Sequence, residues 1–461
     1  MAKPSAPVVS LQPPKDVSLS EIEAELGKIW RSYSATGDDA FPAATRAATF
    51  SLLVYEPEET QQLLAAQGFY SGPVDGIDGP RTDAAIQAAQ KAYGLQVTGK
   101  TNPETLAKLR EEFAKKRGQP IPDNNETPLP QYALDARGSG FADAIASQNP
   151  CRIIALFPTT GEDEGVTAQV SAYCPIQKQS RSALICCEYI TLKGTGEALE
   201  RVSSLISSLV IGELPKFLWW KTTPDLNQAL FRKLAELSNS VIVDSSFFSD
   251  PEVDLLKVQD QLEQGIHIAD LNWRRLSAWQ ELTAEAFDPP ERRSDLKEVD
   301  RITINYEKGN PAQALMFLGW FASRLQWHPT SYEAEGGDYD LKRVKFVTAD
   351  QHLVEAELAA IPTADWGDIP GDLIALRLSS TNLDADCCTV LCSETTGCMR
   401  MEAGGGAQSC QIQHVAPLSD QKPEFLLSQQ LQRWGRELLY EESLAVTAQI
   451  LRAGDRRTNE Q

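Results

Sequence analysis

CRIIALFP (151–158), VTAQVSAYC (166–174), ALICCEYITL (183–192), GEALERVSSLISSLVIG (196–212), KFLWWK (216–221), DLNQALFRKLAELS (225–238) and SVIVDSS (240–246) follow one another with little between them. The first three, KFLWWK and SVIVDSS read as strands. The other two space their apolar residues as helices do, with Leu199, Val202, Ile206 and Leu209 on one face. Strands alternating with helices predict a Rossmann-like α/β middle domain over 150–250, with a partly parallel sheet.

Downstream the pattern changes. DLNWRRLSAWQELTAEAF (270–287) and PAQALMFLGWFASRLQW (311–327) read as helices, and RITINY (301–306) and RVKFVTA (343–349) as strands. Short strands then follow at 353–361, 373–379, 387–393, 398–404 and 410–415. A single long helix is expected over 423–452, with Leu427, Leu431, Trp434 and Leu438 along one stripe. Residues 251–461 are thus expected to form a mixed α+β C-terminal domain with a cysteine-rich strand region.

Upstream, 1–57 reads as an N-terminal segment with a helix at 18–33 and a strand-like run from Phe50 to Tyr55. Residues 58–118 predict a small three-helix N-terminal module. GFYSGPVDGIDGP supplies its turn formers, and Asn102-Pro103 opens its last helix. Residues 119–149, rich in Pro, Asn and Gly, read as a linker.

The 461 residues carry 64 acidic against 43 basic side chains, a net charge of -21. Such a surface repels phosphate backbones and anionic membranes, so no nucleic acid and no membrane is expected as partner. The start MAKPSAPVVSLQPPKDV has no apolar signal core, and no apolar run approaches the ~20 residues of a membrane helix. The expected location is cytoplasmic, where a disulfide is usually transient or regulatory.

Five of the nine cysteines, Cys387, Cys388, Cys392, Cys398 and Cys410, fall near the C-terminus. Three readings stay open. Four of Cys387, Cys392, Cys398, Cys410 and His414 would make a zinc-stabilised scaffold, although no CxxC knuckle is present. The thiols of CCTVLC would be small buried hydrophobes on a strand. Cys392 and Cys398, flanking the polar turn SETTG, would close a redox-switch disulfide. The vicinal pair Cys186-Cys187 reads as structural. Lys193-Gly194-Thr195-Gly196, between a strand and a helix, is in the right context for phosphate, but Leu199 replaces the third glycine of GxGxxG. That turn keeps a nucleotide- or sugar-phosphate-binding enzyme as an alternative. No catalytic residue and no cofactor is picked out otherwise. Trp219, Trp220, Trp273, Arg274 and Arg275 are candidate partner-interface residues, because Trp and Arg anchor interfaces.

Two resemblances add to this reading. Gly68-Phe69-Tyr70, Val74-Asp75-Gly76, Gly79-Pro80-Arg81-Thr82, Ala88-Ala89-Gln90, Gly94-Leu95 and Thr98-Gly99 resemble the peptidoglycan-binding-like domain, with Ala89 where that family commonly has Phe. Without export, a protein–protein or spacer role fits it better than wall binding. The stretches 9–30, 161–177, 186–196, 214–225, 270–293 and 306–327 resemble the cyanobacterial glucose-6-phosphate dehydrogenase assembly protein family, OpcA, over nearly the whole chain. The resemblance implies a non-enzymatic activator. It would bind glucose-6-phosphate dehydrogenase, favour its active oligomer, raise its substrate affinity, and answer to thioredoxin, the oxidised form being the active one.

Overall fold

The computed structural model describes residues 8–34, 44–70, 74, 79–117, 149–175, 184–288, 290, 293–362, 369–382, 389–394, 398–403, 411–417 and 423–458. The linker expected at 119–149 lies outside the described residues except for its last one.

Nine strands form the first sheet: β1 (Val8–Val17), β2 (Ala44–Arg46), β3 (Ser51–Tyr55), β4 (Arg152–Thr159), β5 (Thr167–Pro175), β6 (Leu184–Thr195), β7 (Lys216–Trp220), β8 (Ser240–Val243) and β9 (Ile268–Asp270). Their order is β1-β5-β6-β4-β3-β7-β8-β9, with β2 beside β6. From β6 to β9 every neighbour is parallel. Numbered by chain position, those six strands run 3-2-1-4-5-6, the order of dinucleotide-binding sheets. The sheet is buried on both faces, which is why its strands read as unbroken apolar runs.

Two sequence expectations change here. The segment before residue 58 is not separate: β1 and β3 are strands of this sheet, and α1 (Ile22–Ser34) packs beside β2 and β5. The three helices expected at 58–118 are present as α2 (Glu59–Ala66), α3 (Pro80–Ala92) and α4 (Pro103–Arg117), but they do not precede the α/β domain. They lie in the connection from β3 to the adjacent parallel β4, where a Rossmann sheet has a single helix. Leu63, Leu64, Ile86, Ala89 and Leu109 give them a small core of their own. Gln90 ties the turn before α4, accepting from the Thr98 and Gly99 amides and donating to Thr105 Oγ1 at 3.0 Å.

The remaining helices of the first layer are α5 (Gly196–Arg201), α6 (Ser203–Leu209), α7 (Ala229–Leu237), α8 (Pro251–Glu263), α9 (Leu271–Arg275) and α10 (Ser277–Phe287). The helix expected over 270–287 is therefore two, broken at Leu276.

The second sheet has eight strands: β10 (Arg301–Glu307), β11 (His328–Gly336), β12 (Leu341–Val347), β13 (Leu353–Ile361), β14 (Leu373–Ser379), β15 (Thr389–Glu394), β16 (Cys398–Ala403) and β17 (Gln411–Pro417). Their order is β11-β12-β13-β10-β14-β15-β16-β17, antiparallel except where β10 meets β13. Burial alternates along β10 and β12, so one face is covered and the other carries Arg301, Arg343 and Lys345. The cover is α11 (Ala312–Arg324) and α13 (Leu438–Thr458). Every residue of α11 from Ala312 to Ala322 is buried, as a helix apolar on all sides demands. Gly319 permits its crossing with α13: a Cβ there would collide with Thr447 Oγ1 and stand 2.7 Å from the Ser443 carbonyl.

The helix expected over 423–452 is interrupted. α12 (Pro423–Gln430) and α13 are separated by seven residues, 431–437, which turn around Gly435. α12 lays Leu426 and Leu427 against Phe50, Ile153 and Trp219 on one face of the first sheet. The larger core, on the other face, continues from Leu53 and Ile154 through Trp273 to Ile304, Phe317 and Val344 of the second layer.

Candidate functional site

In a sheet of this order, ligands bind beyond the carboxyl ends of the strands where the winding reverses, here between β3 and β7. The first turn after β3 is the place for glycines and for phosphate on a helix N-terminus. This chain puts Glu56-Pro57-Glu58 there. Glu58 caps α2, accepting from the Gln61 amide at 2.6 Å, and its other oxygen accepts from the Thr160 amide at 3.3 Å. Burial pushes its carboxyl up to about 7 against those hydrogen bonds. The helix terminus that would hold a phosphate is thus occupied by the protein's own carboxyl group. Beside it, Lys221 at the end of β7 binds both oxygens of Glu56, at 2.7 and 2.8 Å, and lies over the Trp219 ring. Tyr55 and Trp220 stack beneath at 3.8 Å. The cleft left along Pro57, Lys221 and Thr222 holds about 60 Å³. Ligand pockets run to roughly 300–1,000 Å³, so the cleft formed by the described residues is well below the size of a nucleotide site.

A second polar cluster lies where β8 and β9 end. Arg275 grips Asp244 with two hydrogen bonds, of 2.7 and 2.8 Å, and both side chains are buried. Asp270 caps α9 through the Asn272 amide at 2.8 Å and also accepts from the Ser245 amide. Burial first, and the nearby Asp244 second, push Asp270 up to about 7. From the second layer, Asn310 donates to the Ser245 and Ser246 carbonyls, and Gln313 donates to Asn272 and Asp372. Raised carboxyls often mark catalysis. Here none of them lines either cleft described in this section, and the bonds from Asn310 and from Gln313 to Asn272 run between the two layers. The cluster fixes the layers against each other.

This placement corrects the expected interface. Trp219, Trp220, Trp273 and Arg275 are buried. Trp219 and Trp220 do point to opposite faces of β7, but both faces are covered, by α12 and by α7. Arg274 reaches a surface opening. With Trp273 it lines a cleft of about 390 Å³ together with Ser277, Gln280, Arg433, Arg436 and Glu437. The residues that complete this cleft were missed because an apolar stripe continues through 431–438 in helical register; Gly435 was the available signal against a helix.

The 193–196 turn is a strand-to-helix connection. Thr195 caps α5, and a Cβ on Gly194 would stand 2.8 Å from the Gly165 carbonyl, so close packing accounts for that glycine. Among the described residues, no group of three or more His, Cys, Asp or Glu side chains is placed to hold a metal.

A disulfide joins Cys174 to Cys186, directly opposite across β5 and β6 with α-carbons 4.3 Å apart. Cys187, on the other face, accepts from the Cys151 amide, and burial pushes the Cys151 thiol far up. Cys387, Cys388 and Cys410 lie outside the described residues, as do the side chains of Cys392 and Cys398. Their backbones do belong to a hairpin, β15 and β16, that pairs Cys392 with Arg400 and Glu394 with Cys398.

Residues 142–260 and 266–444 match the N-terminal and C-terminal domain models of a glucose-6-phosphate dehydrogenase subunit, and 56–109 match a peptidoglycan binding domain model. A Nostoc punctiforme protein described as "Putative OxPP cycle protein OpcA" is 63% identical, covering 98% of this chain and 97% of its own. A Synechocystis protein of the same description is 55% identical over 96% and 94% of the two chains. Among solved structures, an Acidithiobacillus ferrooxidans UDP-N-acetylglucosamine 3-dehydrogenase matches at 13% identity and TM-score 0.34, covering 57% of this chain and 88% of that one. That likeness is too slight to bear on activity. Both domain models and near full-length relatives agree: the chain belongs to the OpcA family of glucose-6-phosphate dehydrogenase assembly proteins.

Proposed function

We propose that this chain is a non-catalytic cytoplasmic partner of glucose-6-phosphate dehydrogenase, which binds the enzyme, favours its active oligomer and raises its affinity for substrate. The observation that carries the non-catalytic part is Glu58. A sheet with the strand order of a dinucleotide-binding fold has its anion site filled by a buried carboxyl group and flanked by the Glu56–Lys221 pair. Family membership supports the assembly role.

Regulation belongs to the same proposal. Oxidised protein activates, and thioredoxin switches it off by reducing a Cys392–Cys398 disulfide. The thioredoxin dithiol supplies two electrons and two protons; the S–S bond becomes two thiols and thioredoxin leaves as its disulfide. In the register of β15 and β16 the two positions are diagonal on one face. Diagonal α-carbons stand ~7–8 Å apart, and a disulfide needs roughly 4.4–6.8 Å. Closing the bond therefore draws the hairpin end together, and reduction lets it relax. A coupling of ~1–3 kcal/mol between the two states changes affinity 5- to 150-fold.

The test is steady-state kinetics of the cognate dehydrogenase, varying glucose 6-phosphate, with this protein added oxidised or thioredoxin-reduced. A lower KM with the oxidised form, weakened on reduction, is expected. Equal effects of both forms would remove the redox part and keep the partner. No effect of either, together with turnover by this chain alone, would overturn the reading.

A further inference from the structure

The break between α12 and α13 exposes apolar side chains that no other described element covers. Trp434 is 62% exposed, Leu438 59% and Leu439 41%, side by side on one loop and helix start. Trp434 is not loose: its indole N–H donates to the Leu431 carbonyl at 2.9 Å, which holds the ring outward. A rigid, exposed Trp presents a large contact area with little ordering left to lose on binding.

Next to it is the 390 Å³ cleft, and its lining is rich in donors. Arg274 is bound to Glu437 at 2.6 Å and Arg436 to Glu441 at 3.0 Å, so those charges are matched. The Arg433 guanidinium has no partner among the described residues, and the Gln280 Nε2 is buried there without an acceptor. Burial holds Arg274 below the usual guanidinium range, and Arg433 adds to that by like-charge repulsion. In a chain of net charge -21, Arg433 is thus left as one unmatched positive charge beside a cleft rich in hydrogen-bond donors. A small anion would satisfy Arg433 and Gln280 but leave the Trp434–Leu439 shelf bare. A protein segment satisfies both.

We propose that the 431–439 loop and its arginine-lined cleft dock a segment of the partner enzyme that places a carboxylate in the cleft and apolar side chains on Trp434, Leu438 and Leu439. The proposal rests on the reading of this chain as an assembly partner. It commits to an acidic segment, although the overall charge of the chain would select a basic one.

The experiment measures binding of the full chain to the purified cognate dehydrogenase, by interferometry, for wild type, Trp434→Ala, Arg433→Glu and Arg433→Lys. The substituted side chains are solvent-facing, and an unchanged melting temperature confirms that each variant folds. Trp434→Ala and Arg433→Glu are expected to weaken binding at least about tenfold, as centrally placed Trp and Arg do. Arg433→Lys should retain most of it, and the Arg433→Glu loss should shrink as salt is raised. Binding by wild type with both variants within about twofold of it overturns the docking site and leaves the assembly role standing. Absence of wild-type binding overturns both. Wild-type self-association in sedimentation, lost in Trp434→Ala while enzyme binding is unchanged, would make a second copy the occupant and also overturns the proposal.

Discussion

At the scale of single residues, the chemistry of this protein is that of groups turned inward. Glu58 shows the sign of the effect. Its folded pKa of about 7 lies above the ordinary 4.5, so the folded state holds a proton that the unfolded chain releases. Stability from this group is complete below its unfolded value and is lost as pH rises through its folded value. Glu58→Gln, which cannot titrate, should therefore lose less melting temperature than wild type between roughly pH 5 and pH 8, read by calorimetry. The cysteines divide in the same way. Cys174 and Cys186 are fully buried, so thioredoxin should leave their bond intact in the native protein and reduce it only after denaturation. Peptide mapping with differential thiol labelling checks this. Cys392→Ser should abolish redox sensitivity, whereas Cys174→Ser should lower stability and leave redox sensitivity in place. The 174–186 pairing was not legible, because a vicinal Cys186-Cys187 says nothing of which sulfur faces which side until the β5–β6 register is known. The burial of Trp219 and Trp220 was not legible for a related reason: they face opposite ways, as a strand requires, but sequence cannot say that both ways are covered.

Elements were more legible where periodicity was undisturbed. β13 and β14 begin and end where their sequence runs do, and α11 was evident as an apolar run. β1 was not, because Pro13 and Pro14 argue against a strand; it survives at the sheet edge, with register shifts around Gln12 that accommodate them. The break in the last helix was hidden by the stripe that runs through it. The crossing of α11 and α13 gives a sharp test of packing. Gly319→Ala places a methyl group against a backbone carbonyl and Thr447, neither of which swings away easily. Overpacking of this kind costs ~1–3 kcal/mol, and the expected outcome is a lowered midpoint in urea with an unchanged slope.

At the scale of the whole molecule, one apolar core runs from the parallel sheet into the antiparallel layer, and the Asp244–Arg275 cluster joins them again with buried hydrogen bonds. Two layers sharing a core should unfold together. Scanning calorimetry is expected to show one main transition for both, with a smaller separate one for α2–α4, whose core is distinct. Two comparable transitions split at about residue 300 would contradict this. The position of α2–α4 has a further consequence, at the level of the gene. A domain carried at the end of a chain disappears with one stop codon or one shifted start. This one spans the gap between β3 and β4, neighbours in the middle of a parallel sheet. Parallel neighbours need a connection of a dozen or more residues to return along the strand, and α2 supplies both the start of that return and part of the module's core. No truncation removes the module and spares the sheet. A lineage either inherits it with the fold or replaces it in frame, at both junctions, in one event.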